Sequence, residues 1–184
     1  MIKGIIFDMV GPLLQEKPNY IFDEIVQTAE KIRSQCLNDK KFVNLLKKNE
    51  ITRKYTTEEI AKKIVSKYCK VEKIWNELLP KLKNYKLGVI NNGTSITIPY
   101  FKEVNNFDEF FTIFINSSEV GLEKPDSKIY MMTLNKMRLK PEESIFIDDS
   151  ESNVVGANNM GIIGLLYTDY EKLICDLRSS DIKI

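Results

Sequence analysis

Polar residues that could do chemistry follow three short apolar runs in this sequence. They are Asp8, the pair Asn91 and Asn92, and the pair Asp148 and Asp149. Short apolar runs that end at turn residues indicate strands buried on both faces of a sheet. The carboxyl ends of parallel strands meet at one edge of a sheet, where open α/β sheets bind their ligands. We therefore expect these side chains to lie together at that edge.

A cation is expected among these carboxylates. Lys124 precedes a predicted helix and could reach the same edge. Several carboxylates in one place repel one another unless a cation lies among them, and an all-oxygen ligand set suits Mg²⁺ best. The alternative is a set of unrelated helix N-caps, since Asp149 or Ser150 could cap a helix that begins at Glu151. Several caps at one edge are less expected by chance, so the sequence favours a magnesium site.

Strands and helices alternate from residue 86 to the end of the chain. Strands are predicted at residues 2–7, 87–90, 111–115, 144–147 and 162–167. Helices are predicted near residues 96–104, 127–136 and 151–160, and a last helix closes the chain. This alternation predicts an α/β fold, a Rossmann-like parallel sheet with helices on both faces.

The segment between the first strand and residue 81 has a different pattern. Apolar residues recur there at helical spacing in four stretches, and no stretch clearly indicates a strand. The fourth stretch, from Val71 to Leu82, contains Pro80, which would end or kink a helix. We predict a core formed by residues 1–16 and 81–184 and an all-helical cap formed by residues 17–80, joined by linkers near Leu14 and Lys83.

Composition excludes several classes of function. The chain has 184 residues, a net charge of +1 and no histidine. The small net charge argues against a nucleic-acid partner, and catalysis or metal binding by histidine is excluded. Three widely spaced cysteines suggest reduced thiols and a cytoplasmic location. No apolar stretch approaches the ~20 residues needed to span a membrane, and the sequence leaves the oligomeric state open.

Four segments resemble the motifs of the haloacid dehalogenase-like (HAD) superfamily. Residues 5–13 are similar to its first motif, Asp-x-Asp-Gly-Thr/Val, and residues 89–93 to its second, Ser or Thr followed by Asn-Gly. Residues 121–126 are similar to the third, whose key residue is Lys, and residues 147–153 to the fourth. The helical segment between the first two motifs resembles the small helical cap of one subclass.

The resemblance implies a role for each residue of the polar edge. Asp8 would be the nucleophile that forms an aspartyl-phosphate with a small phosphorylated substrate. Lys124 would balance charge around Asp8 and the phosphoryl group. The expected phosphate-binding groups are Asn91, Asn92, Lys124 and nearby backbone N–H groups; the expected Mg²⁺ ligands are Asp8, the main-chain carbonyl of Val10 and Asp149, supported by Asp148.

Three residues depart from the family pattern. Val10 replaces the second Asp, the general acid and base of the family's phosphatases, whose loss typically slows the reaction ~10²–10⁴-fold. Its carbonyl remains available to a metal ion. Pro12 replaces a Thr or Val and removes an N–H group near Asp8. Asn91 replaces a Ser or Thr, a mild change because an amide also donates hydrogen bonds to phosphate.

Three functions remain open from the sequence. The favoured one is a Mg²⁺-dependent phosphatase-type hydrolase, slow or specialised, whose proton donor could come from the cap or the substrate. Glu16 is close in sequence and could also serve, but a solvated turn residue is the favoured interpretation of Glu16. The second is a protein that keeps the scaffold and metal site for binding or regulation without turnover, as Val10 and Pro12 suggest. The third is a metal-independent 2-haloacid dehalogenase, ranked last because Asp148 and Asp149 would repel its carboxylate substrate.

Overall fold

A computed structural model describes all 184 residues. The strands are β1 (Gly4–Asp8), β2 (Leu14–Glu16), β3 (Tyr68–Lys70), β4 (Lys86–Asn91), β5 (Ile113–Asn116), β6 (Ser144–Asp148) and β7 (Ile163–Leu166). The helices are α1 (Glu24–Arg33), α2 (Asp39–Lys48), α3 (Thr57–Ser66), α4 (Ile98–Asn105), α5 (Ser117–Val120), α6 (Ser127–Met137), α7 (Glu151–Asn158) and α8 (Tyr170–Ser179). No helix combines the length and the apolar character that crossing a membrane requires.

Five strands form a parallel sheet in the order β5-β4-β1-β6-β7, and the predicted α/β class is confirmed. β1 lies at the centre of this sheet and is buried along its whole length. Its successive side chains point to opposite faces, so Ile5 and Phe7 join one apolar cluster while Ile6 joins another. Helices cover both clusters, which is why β1 is apolar at every position before Asp8.

The register of the sheet brings the predicted polar residues to one edge. Phe7 pairs with Val89 of β4 on one side and with Ile147 of β6 on the other. Asp8 and Asp148 therefore follow at the ends of neighbouring strands. Asn91 pairs with Asn116 of β5 one strand further out.

Helices α1 to α3 form a separate small cluster outside the sheet. Its buried apolar residues are Val26, Ala29, Cys36, Phe42, Leu46, Ile60 and Ile64. The prediction that residues 17–80 are entirely helical needs one correction, because β3 lies within this range. β3 pairs antiparallel with β2, and the pairs run from Leu14 with Lys70 to Glu16 with Tyr68. The two-stranded ribbon connects the helical cluster to the sheet. Neither strand was predicted, because a strand of three residues is too short to show a clear alternation of apolar and polar residues.

The predicted fourth helix of this segment is not an α-helix. One π-helical turn, Ile74–Leu78, runs directly into a 3-10 turn, Leu79–Leu82, because Pro80 cannot donate the backbone hydrogen bond of a continuing helix. The side chains of both turns pack with β1 in the large core cluster, and the Trp75 indole N–H donates to the Leu13 carbonyl at 2.8 Å. By packing, these turns belong with the core, and the cap boundary predicted at residue 80 stays a prediction.

Candidate active site

One lysine joins two carboxylates at the ends of β1 and β6. The Lys124 Nζ donates to Asp8 Oδ1 at 2.6 Å and to Asp148 Oδ2 at 2.7 Å. Lys124 is 4% exposed, Asp8 8% and Asp148 0%. Away from water such charge-assisted hydrogen bonds are strong, and each charge would be unfavourable without its partner. The three residues therefore form one unit.

Asn92 holds the main chain of this lysine in place. Its Oδ1 accepts from the Lys124 backbone N–H at 2.9 Å, and its Nδ2 donates to the Lys124 carbonyl at 2.9 Å. Both polar atoms of the amide are thus engaged within the protein. The second N–H of the Asn92 amide is not used in these two contacts.

Asp148 is fixed by the start of the helix that follows it. Its carboxylate accepts from the Ser150 backbone N–H at 2.8 Å and from the Asn153 amide at 3.1 Å. The Asn153 carbonyl in turn accepts from the Tyr130 hydroxyl at 2.8 Å. Neither Asn153 nor Tyr130 is among the site residues predicted from the sequence. Asn153 lies inside the motif-like stretch 147–153, but its contact becomes evident only once α7 is formed.

Asn91 lies at the same edge but makes no hydrogen bond with Asp8 or Lys124. Its Nδ2 donates to Asn116 Oδ1 at 2.7 Å, and the Asn116 amide donates to the Gly93 carbonyl at 3.1 Å. Both asparagines are buried. This pair of asparagines fixes the shape of the loop after β4. Asn116 is not among the site residues predicted from the sequence.

Asp149 adds a third carboxylate to the group. Single oxygens of Asp8, Asp148 and Asp149 all lie within 4.8 Å of one another. Gly11, in the turn after β1, has a φ of +110°, and a Cβ atom there would lie 2.6 Å from the Asp149 Cγ. Only glycine fits both the backbone conformation and this close approach. Gly11 therefore makes room for Asp149 next to Asp8.

One lysine does not offset three carboxylates. Burial, opposed by Lys124 and reinforced by the charge of Asp148, raises the pKa of Asp8 from 3.8 to about 6. Burial and the charge of Asp148 also raise the pKa of Asp149. Both shifts have the sign expected of an excess of negative charge. An all-oxygen donor set with excess negative charge fits a hard divalent cation such as Mg²⁺.

A cavity of about 340 Å³ lies between the sheet edge and helices α1 to α3. Its core side is lined by Met9, Val10, Asn91, Asn92, Gly93, Thr94, Thr97, Phe101 and Glu123, and its helical side by Ala29, Glu30, Arg33, Ser34, Phe42, Ile64 and Tyr68. Val10 thus presents an apolar side chain to this space. Glu16 is absent from the lining; it is paired with Lys67 at 3.2 Å and is largely exposed. The residues with carboxylates in the lining are Glu30 and Glu123.

Two polar residues of the helical cluster, neither of them predicted from the sequence as a site residue, contact the loop after β4 and the helix α5. Asp39 accepts from the Thr94 hydroxyl at 2.7 Å, from the Ser118 hydroxyl at 2.9 Å and from Ser95. Arg33 donates to the Gly93 carbonyl at 2.8 Å. The partners lie 55 to 79 residues away from these two along the chain, so no local sequence signal marks them.

Two curated phosphatases resemble part of the chain. Glyceraldehyde 3-phosphate phosphatase of Methanothermobacter thermautotrophicus is 37% identical over 89 residues, 47% of this chain and 38% of the relative. Pyrophosphatase PpaX of Bacillus cereus is 28% identical over 98 residues, 53% of this chain and 44% of the relative. The matched part covers less than half the length of each relative.

Solved structures with low sequence identity share the fold. A HAD-like family hydrolase from Porphyromonas gingivalis superposes with a TM-score of 0.73 at 20% identity, covering 100% of both chains. A HAD family enzyme from Bacteroides thetaiotaomicron, solved in complex with magnesium and inorganic phosphate, gives 0.71 at 20% identity, covering 94% of this chain and 99% of that one. The sequence profile of the haloacid dehalogenase-like hydrolases matches residues 5–165. Since that match begins just before Asp8 and extends past Asp148 and Asp149, the chain belongs to the haloacid dehalogenase-like hydrolase family.

Proposed function

We propose that this protein is a Mg²⁺-dependent phosphatase-type hydrolase that acts on a small phosphorylated molecule through an aspartyl-phosphate on Asp8. The observation that carries the proposal is the buried Lys124, whose Nζ lies 2.6 Å from Asp8 and 2.7 Å from Asp148. A nucleophilic carboxylate must approach a negatively charged phosphoryl group, and a fixed cation between them lowers the repulsion. The phosphatases among its relatives support a small phosphorylated substrate.

The residues that would hold the metal ion are Asp8, Asp149 and the main-chain carbonyl of Val10. Asp148 would support the site through its hydrogen bond with Lys124. When bound, Mg²⁺ supplies positive charge beside the phosphoryl oxygens. The ligand set rests on the cluster of three carboxylates and on the space that Gly11 leaves for Asp149.

The reaction itself needs little more than positioning. An Asp8 carboxylate oxygen attacks phosphorus, the bond from phosphorus to the leaving oxygen breaks, and the electron pair stays with that oxygen. Lys124 offsets the charge of the carboxylate and of the transferring group. Asn91 and backbone N–H groups of the loop after β4 would receive the phosphate oxygens. Water then attacks the aspartyl-phosphate and releases phosphate and the Asp8 carboxylate.

Val10 makes both steps slow. Valine cannot protonate the leaving oxygen or activate water. Of the two carboxylate residues that line the same cavity, Glu30 is held by Lys67 at 3.1 Å and by the Tyr68 hydroxyl at 3.2 Å, and Glu123 is exposed to solvent. General acid–base help is typically worth ~10²–10⁴-fold. We expect low turnover, best on esters whose leaving group needs no proton.

The second candidate is a protein that binds a phosphorylated ligand without turnover, favoured by Val10 and by Pro12. The third, a 2-haloacid dehalogenase, is disfavoured because Asp148 and Asp149 lie beside Asp8, where they repel a substrate carboxylate. The cytoplasmic location expected from the cysteines stays a prediction.

A panel of aryl and alkyl phosphates, assayed with Mg²⁺ and with a chelator, tests the proposal. Phosphate release should require Mg²⁺ and should be abolished in Asp8→Asn, because an amide is a poor nucleophile. The panel also includes 2-chloropropionate, with chloride as the readout. Absence of phosphate release from every aryl ester favours the non-catalytic candidate, and metal-independent chloride release favours the dehalogenase.

A further inference from the structure

Arg33 is the only cationic residue that lines the cavity between the sheet edge and the helical cluster. It is the last residue of α1, and its guanidinium is partly buried. No carboxylate oxygen lies within 4.0 Å of its nitrogens. A partly buried cation without an anionic partner is unfavourable, so its position calls for an explanation.

Neutral acceptors and the C-terminal end of α1 stabilise the guanidinium, but no anion neutralises its charge. Nη2 donates to the Gly93 carbonyl at 2.8 Å and to the Ser117 hydroxyl at 3.0 Å, and Nη1 donates to the Cys36 carbonyl. Nε is buried and has no hydrogen-bond partner. Of the five N–H groups of an arginine, these contacts use three. The side chain is therefore pre-positioned. The buried Nε is out of reach of a ligand, and the second N–H of Nη1 is the donor that these contacts leave free.

The other charges around the cavity do not serve as a partner for Arg33. Glu30 is held by the Lys67 ammonium and by the Tyr68 hydroxyl. Glu123 is exposed, so water screens its charge. The remaining side chains of the lining are neutral. Arg33 therefore carries the only charge in the cavity lining that is partly buried and has no partner of opposite sign.

We propose that Arg33 binds a second anionic group of the substrate, so that the preferred substrate is a small phosphate ester whose leaving group carries a carboxylate or another phosphate. The inference rests on the function proposed above, since it assigns the leaving group to the cavity lined by Met9 and Val10, the two residues that follow Asp8. The volume of about 340 Å³ suits a small molecule, and the apolar side chains of Val10, Phe42 and Phe101 suit a short carbon skeleton between the two anions.

The test compares two esters of equal shape and different charge. 4-Carboxyphenyl phosphate and 4-carbamoylphenyl phosphate differ only in carboxylate against carboxamide, and 1,4-phenylene bisphosphate provides the second-phosphate arm. The wild type should show a KM about tenfold lower for the carboxylate ester than for the amide ester, about the effect of one charge-assisted hydrogen bond. In Arg33→Gln the ratio should fall to about one, and Arg33→Lys should keep part of it.

The ratio within each variant is the decisive quantity, because a loosened cap would raise both KM values together. The control is Arg53→Gln, an exposed arginine that does not line the cavity and should leave the ratio unchanged. An equal KM for both esters in the wild type, or a ratio preserved in Arg33→Gln, overturns the inference. Phenyl phosphate reports the proposed function separately. If phenyl phosphate is not hydrolysed, calorimetry measures the dissociation constants of the two esters for the wild type and for Arg33→Gln. The ratio of these constants within each variant then decides the inference.

Discussion

Val10 is the residue whose chemistry departs most from what the site requires. It lines the cavity and lies two residues after Asp8, at the position where the family pattern has its second Asp. Val10→Asp should raise steady-state turnover by about 10²-fold. The gain should be largest for alkyl phosphates, because their leaving groups are strongly basic and depend most on a proton donor. Initial-rate kinetics on one aryl and one alkyl ester measures both effects.

The control for this substitution is Val10→Asn, which has a similar shape but cannot transfer a proton at neutral pH. An Asn variant as active as the Asp variant would show that shape, not proton transfer, limits the reaction.

In the native protein the aspartyl-phosphate should also hydrolyse slowly, giving a burst of aryl alcohol before a slow steady rate.

Asp8 gives the stability of the protein a pH dependence. Its pKa is about 6 in the folded protein, against the ordinary value of 3.8. Between these values the folded state binds a proton that the unfolded state does not, so the stability due to this group is fully present at low pH and is lost as pH rises through about 6. The loss is at most about 3 kcal/mol.

Thermal melting of Asp8→Asn in a chelator measures this contribution, because asparagine does not titrate. The variant should melt several degrees higher than the wild type at about pH 8, and the two should converge near pH 4. Added Mg²⁺ should raise the wild type more than the variant. A variant that melts lower than the wild type at the higher pH would mean that the pairing with Lys124 outweighs the burial of Asp8.

At the scale of single elements, the turn after β1 sets the position of Asp149. Gly11→Ala puts a Cβ atom 2.6 Å from the Asp149 Cγ, so the carboxylate must move. We expect the affinity for Mg²⁺ to fall about 10–100-fold, the usual effect of disturbing the supports of a ligand. Calorimetric titration with Mg²⁺ measures the change, and Asp149→Ala gives the reference for a lost ligand.

A second glycine serves as the control that distinguishes backbone strain from displacement of the Asp149 carboxylate. Gly121 also has a positive φ, +69°, but a Cβ atom there has no neighbour within 4 Å. Gly121→Ala should therefore lower the melting temperature through backbone strain while leaving Mg²⁺ affinity intact. If both variants lose Mg²⁺ affinity equally, the position of Asp149 does not depend on Gly11.

Local pattern decided which elements could be predicted from the sequence. β1, β4 and β6 are apolar runs that end at polar residues, and a parallel sheet then brings Asp8 and Asp148 together. The turns around Trp75 have helical spacing, so periodicity predicted a fourth helix, but Pro80 interrupts the hydrogen bonding of an α-helix there. The contacts of Asp39 and Arg33 join residues far apart in the chain and carry no periodic signal. Such contacts require the tertiary structure.

The whole molecule consists of a sheet core and a helical cluster that enclose the cavity together. The contacts between the two parts include the polar contacts of Asp39 and Arg33, the ribbon of β2 and β3, and the packing of Ile96 against the helical cluster. The linker predicted near Leu14 does not match the structure, since Leu14 is fully buried and lies in β2. The exposed connection comes later, between β2 and α1, where Ile21 and Phe22 are 84% and 67% exposed.

Limited digestion with chymotrypsin tests this division, because the protease needs an exposed aromatic residue in a chain segment that can unfold locally. The first cut should follow Phe22, which lies outside any helix or strand, and Phe22→Ala should delay it. The two turns at 74–82 should resist, since Leu78, Leu79 and Leu82 are fully buried in the core cluster. Mass spectrometry of the first fragments identifies the site. A first cut between residues 87 and 147 would contradict the division, because it would make the sheet, which positions Asp8 and Lys124, less stable than the cluster that covers it.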